Sequence, residues 1–215
     1  MSALDFLSFM NPPRDPQLGG VAVGIVLDNM DALSQGRVQV QLPGLPIEPP
    51  WARVAVPDAG SDRGMFFMPQ VDDEVLVCFE HGDVTRPYVI GSLWNGTDTP
   101  PASAPTDPRF KRVIKTPQGH VIELDDTKQT ITITSSTKQK IEITQDKIEL
   151  SAGSGASKLT LNTDGSVTLS AQTTMTLQAQ SLKLSATSID IDAQGTAKLS
   201  SSGACTIQGS IVKVN

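Results

Sequence analysis

Few side chains in this 215-residue chain are of a type that does chemistry, and their spacing decides how far each can go. The only histidines are His81 and His120. A hydrolytic triad needs a nucleophile, a base and a group orienting the base, all within hydrogen-bond reach. His81 stands in a His-Gly-Asp turn and His120 follows Gly119, so both read as turn residues and no catalytic group is assigned. Asp190 and Asp192 are two apart and fall on one side of an extended segment. Three-fold repetition of the chain would gather their carboxylates at one level, where a cation is conceivable. With Lys183 and Lys198 on neighbouring segments the pair reads better as a solvated acidic face, and no metal or cofactor is expected. Cys78 and Cys205 lie far apart within strand-like patterns, which makes them small buried apolar side chains rather than a disulfide.

The elements that must position these residues are short strands. From about Val121 to Asn215 a triplet recurs in which two aliphatic residues flank a polar one. It appears at Ile131/Ile133, Ile141/Ile143, Ile148/Leu150, Leu159/Leu161, Val167/Leu169, Met175/Leu177, Leu182/Leu184, Ile189/Ile191, Ala197/Leu199, Cys205/Ile207 and Val212/Val214. The usual step is seven or eight residues. Period-two alternation puts both aliphatic side chains on one face of a strand, and such a strand cannot bury that face alone. The units must stack, either as a single-chain solenoid of about four coils or as three chains wound together around one aliphatic interior. No capping helix is visible for a solenoid, and closed three-fold symmetry supplies neighbours for open strand edges, so the intertwined trimer is preferred. Strands stacked at about 4.8 Å would make a rod on the order of 50 Å long.

Composition divides the chain near residue 110. All nine aromatic residues lie at or before Phe110, and Pro117 is the single proline after Pro108. The front part carries its positive charge on arginine alone, and the rest mostly on lysine. The net charge is -6, with the acidic excess in the front part, which argues against a nucleic-acid partner. There is no secretory signal and no apolar run approaching membrane-spanning length, so the chain is expected to be made in the cytoplasm. Residues 1–20 carry Leu4, Phe6, Leu7 and Phe9, an apolar segment too short for a stable helix alone. It reads as docking on a neighbour or on its own domain, or else as a frayed terminus. Residues 97–112 hold Pro100, Pro101, Pro105 and Pro108, an extended and semi-rigid linker.

Residues 21–96 predict five strands: VAVGIVLDN, GRVQVQLPG, WARVAVP, DEVLVCFEHGD and RPYVIGSLWNG. Five short strands in some 75 residues suit a small barrel of the OB type. The long connection DAGSDRGMFFMPQV fits where such a barrel carries an extra element. Taken in order, VAVGIVLDN, GRVQVQLPG, WARVAVPDAG, the FFMPQVDDEVLVCF block and HGDVTRPYVIGSLWN resemble the OB domain of contractile-tail spike proteins. That family comprises the phage baseplate assembly protein V group, the central spikes of myophages and the VgrG proteins of type VI secretion. One departure is Asp72, where family members commonly place glycine. Asp tolerates a left-handed backbone better than most residues, so the turn is expected to survive.

The resemblance implies an all-β fold, a five-stranded OB-fold barrel followed over residues 113–215 by an intertwined trimeric β-helix, or β-prism. It implies a homotrimer without enzymatic activity: the central spike of a contractile baseplate, assembled into a phage tail or tail-like particle. Its barrels would attach to a baseplate hub protein, with Leu4, Phe6, Leu7 and Phe9 as the docking residues. Its far end, at Val212, Val214 and Asn215, would take a PAAR-type tip protein, and the rod would touch the target membrane only transiently. No histidine follows His120, so the His-x-His iron site of some spikes is absent. Two other readings stay open: a single-chain β-helix acting on a polysaccharide with Asp190 and Asp192 as acid and base, and an OB-fold nucleic-acid binder on a stalk. The tail has no aromatic platform for a sugar, and the barrel module is acidic.

Overall fold

The computed structural model describes residues 20–213; Leu4, Phe6, Leu7 and Phe9, and likewise Val214 and Asn215, lie outside the described residues. The chain divides into two units, Met1–Leu169 and Ser170–Asn215.

All five strands expected in the first part form. They are β1 (Val21–Asp28), β2 (Arg37–Gln41), β3 (Trp51–Val54), β6 (Glu74–Phe79) and β7 (Pro87–Leu93), closed into a barrel in the order β1-β2-β3-β7-β6. Only the β3–β7 junction is parallel. Alternation sends Val26, Val38, Val40, Ala52, Val75, Val77 and Val89 inward to near-zero exposure, and Phe79 and Val84 join the same buried cluster. Valine dominates because its branched side chain fills a narrow barrel while keeping strand geometry. Gly24 is required on β1, since a Cβ there would lie 2.4 Å from Val40 Cγ1. The long connection carries a small hairpin, β4 (Ala59–Gly60) with β5 (Arg63–Gly64), where the extra element was expected.

Two aspartates hold the barrel's loops, Asp31 through its carboxylate and Asp72 through its backbone. Asp31 pairs with Arg37 at 2.7 and 3.0 Å and also accepts the backbone N–H groups of Leu33 and Gln35. Its carboxyl is held well below the usual range, chiefly by the Arg37 hydrogen bonds. The Arg37 guanidinium lies 5.7 Å from the Trp51 ring centre. Asp72 has a φ of 74°, and its N–H reaches Val26 O at 2.9 Å. The chain therefore makes the left-handed corner with Asp in the place where glycine is usual.

A short helix α1 (Asp107–Phe110) ends the proline-rich linker. It leads into seven strands: β8 (Lys111–Lys115), β9 (Val121–Asp125), β10 (Thr130–Thr134), β11 (Lys140–Ile143), β12 (Lys147–Ala152), β13 (Ser157–Asn162) and β14 (Val167–Ala171). They form one sheet in chain order, and the pairs from β8 to β13 are antiparallel. This corrects the expectation for the start of the tail. Successive triplets there do not pass from face to face of an intertwined helix, nor coil as a solenoid; each strand folds back on the one before. The reason is the turns. Gly119 (φ 87°), Gln129 (φ 53°), Lys138 (φ 72°) and Gly165 (φ 87°) adopt left-handed backbone, which reverses a chain within a few residues.

Among the described residues no strand occurs over 172–213, so the triplets from Met175/Leu177 to Cys205/Ile207 have no ladder partner there. Their side chains are exposed. A strand forms only against another strand, and these segments find none in a single chain.

Candidate functional site

The seven-stranded sheet has two chemically opposite faces, and the register aligns them across strands. On one face Leu124, Ile131, Ile143, Ile148 and Leu161 stand opposite one another in a row. A second row joins Ile114, Ile122, Ile133, Ile141, Leu150 and Leu159. The triplets supplied most of these residues; Ile114 on β8 and the Ile122/Leu124 pair on β9 were missed, although Ile122/Leu124 has the same spacing. Arg112 occupies the first row's place on β8, and its guanidinium turns back to the carbonyls of Lys111 (2.7 Å) and Pro108 (3.2 Å).

This aliphatic face is open. Ile133 is 44% exposed and Ile141 39%, whereas Val38 and Val77 in the barrel are at 0%. The opposite face is half-buried beneath its own charges. Lys140 bridges to Glu142 at 2.7 Å, and Glu149 accepts Lys147 at 2.7 Å with Lys158 at 3.5 Å. These contacts hold the Glu149 carboxyl below its usual range, the Lys147 hydrogen bond first among them. A contiguous aliphatic surface of two rows, one over five strands and one over six, is larger than single chains usually leave in water, and it marks an interaction face.

One end of the sheet is anchored by a buried carboxylate that sequence reasoning overlooked. Asp125 is 3% exposed and accepts the N–H groups of Thr127 and Lys128, both at 3.0 Å. The Lys128 N–H is the main cause of its lowered pKa. Asp-Asp-Thr-Lys between two alternating runs is the available signal, since Asp caps a turn two and three residues ahead. Beside it Lys111 meets Asp107 of α1 at 3.3 Å.

The residues singled out for chemistry stand apart. His81 is the left-handed residue of a turn (φ 52°), and His120 Nδ1 accepts the Ser136 N–H at 3.3 Å. Asp190 and Asp192 are exposed in the second unit on no strand. Cys78 and Cys205 are free thiols; Cys78 is half-buried on the outward side of β6, which corrects its buried reading, and Cys205 is exposed in the single chain. For Cys78 the cause is register: Val75, Val77 and Phe79 take the inward places of β6. Among the described residues no three His, Cys, Asp or Glu side chains gather as a metal site.

Comparison with known proteins matches these two substructures separately. Residues 22–94 match the type VI secretion system/phage-baseplate injector OB domain, and residues 111–168 match the phage baseplate V C-terminal trimerisation domain. The second match coincides with the sheet that bears the open aliphatic face, and together the two cover more than half of the chain. The chain belongs to the VgrG-like baseplate spike family. Among VgrG relatives, the actin cross-linking toxin VgrG1 of Vibrio cholerae is 30% identical over 115 residues, which is 49% of this chain and 10% of the toxin. The type VI secretion system spike protein VgrG3 of Vibrio cholerae is 39% identical over 66 residues, 31% of this chain and 6% of VgrG3. VgrG2a of Pseudomonas aeruginosa is 32% identical over 123 residues, 52% of this chain and 14% of VgrG2a. The matched part is thus a small fraction of each VgrG protein.

Proposed function

We propose that the chain is the homotrimeric central spike of a contractile tail or injection baseplate, a mechanical part rather than an enzyme. The observation that carries this is the open aliphatic face on the sheet that matches a trimerisation domain. Three copies supply one another's cover. Strands of five residues are about 17 Å long, and three such walls in a triangle place each about 5 Å from the axis. That is half the usual spacing of about 10 Å between packed sheets, so aliphatic rows from three walls fill the interior.

Past Ala171 the triplets would find ladder partners on the other two copies, giving an intertwined section that only the trimer can form. In this reading sheath contraction drives the rod through the target envelope, with transient membrane contact. Leu4, Phe6, Leu7 and Phe9 would dock on the baseplate hub protein, and Val212, Val214 and Asn215 would receive a PAAR-type tip protein. The spike would be made in the cytoplasm and assembled into a phage tail or tail-like particle.

Light scattering after size exclusion tests the core of the proposal. The expected mass is three times 22.8 kDa, unchanged on dilution. A monomer would overturn it. For the tip, the spike should sediment with a co-expressed PAAR-type protein, and unaltered sedimentation would remove that partner.

A further inference from the structure

Successive turns of the seven-stranded sheet alternate between its two rims, and the rims differ in charge. One rim carries the turns after β8, β10 and β12, with Lys115 and Lys138 exposed and no Asp or Glu in any of the three turns. The other carries the turns after β9, β11 and β13, with Asp126, Asp146 and Asp164 exposed. Among the described residues none of these five makes an ion pair within the chain. The lysines nearby are already engaged: Lys128 with Asp125, Lys111 with Asp107, Lys140 with Glu142, and Lys147 and Lys158 with Glu149.

We propose that the basic rim of one copy seats against the acidic rim of the next, so that the trimer closes head to tail around its corners. The inference rests on the homotrimer reading and adds which surfaces meet. Rotation without translation keeps all copies at one height. Because turns alternate between rims, the levels interleave at steps of about 4.8 Å: Lys115, Asp126, Lys138, then Asp146. Each corner therefore alternates in sign along the rod. Pairing of like rims would instead set lysine beside lysine and carboxylate beside carboxylate, so the charges select orientation as well as association.

The test uses the full chain with three sets of substitutions: K115E/K138E, D126K/D146K, and all four together. The readout is the urea midpoint at which light scattering loses the trimer, at low and at high salt, with tryptophan fluorescence reporting whether the barrel remains folded. Each single-rim reversal should lower the midpoint, more at low salt than at high, and the four-fold reversal should restore it. Unchanged midpoints in both single-rim variants, with the parent trimeric, would overturn rim complementarity and leave the homotrimer standing. Failure of the four-fold variant to regain the midpoint would also overturn it. A monomeric parent would remove the homotrimer reading and this inference together.

Discussion

Asp72 shows how one residue carries a structural demand. Its φ of 74° is costly for most side chains, and the corner is fixed by Asp72 N–H on Val26 O and Val26 N–H on Asp73 O. Asp72→Val should cost about 1–2 kcal/mol of barrel stability, while Asp72→Gly should stay within about 1 kcal/mol of the parent. Urea unfolding followed by tryptophan fluorescence separates the two. Asp31 makes a pH prediction on the same barrel. Its folded pKa is depressed, so the stability it contributes is fully present above the ordinary aspartate value of about 4 and is lost as pH falls toward the folded value. The urea midpoint of the parent should drop on acidification below about pH 4. In Asp31→Asn that drop should be smaller, and an equal drop in both proteins would refute the assignment.

At the scale of the element, the sheet is defined by which face is left uncovered. Substituting Ile133→Asp and Ile141→Asp together places charge at two adjacent positions in the middle of the second aliphatic row. Each buried isoleucine contributes about 1.5–3 kcal/mol, and three copies multiply the loss. The expected outcome is a chain that no longer trimerises, with its barrel folded, by light scattering and tryptophan fluorescence. Thr132→Lys, next to Ile133 on the opposite, charged face and between Glu123 and Glu142, should leave the mass unchanged.

The whole molecule adds a division of labour along the chain. The strands between Val21 and Ala171 form their ladders within one copy, and residues 172–213 have no strand ladder in one copy. Hydrogen exchange should therefore show protected amides over 172–213 in the parent and rapid exchange there in the Ile133→Asp/Ile141→Asp variant, with β6 and β7 protected in both. Protection of 172–213 in a monomer would show that this segment folds without partners.

Barrel strands and the aliphatic triplets were legible because alternation marks them locally, whereas Asp72 stood out only against the resemblance to a family that places glycine there. The intrachain meander was not. Its signal lay in uneven steps, ten residues from Ile131 to Ile141, seven from Ile141 to Ile148, then eleven from Ile148 to Leu159, against the even seven or eight that follow Val167. Long steps leave room for a reversing turn, and left-handed Gln129 and Lys138 complete such turns without glycine, which composition does not announce. Side-chain alternation along a strand is a property of the backbone and can be read one residue at a time. Which strand lies beside it, and therefore which face is open and which rims are charged, depends on turn conformations and register that only the folded chain decides.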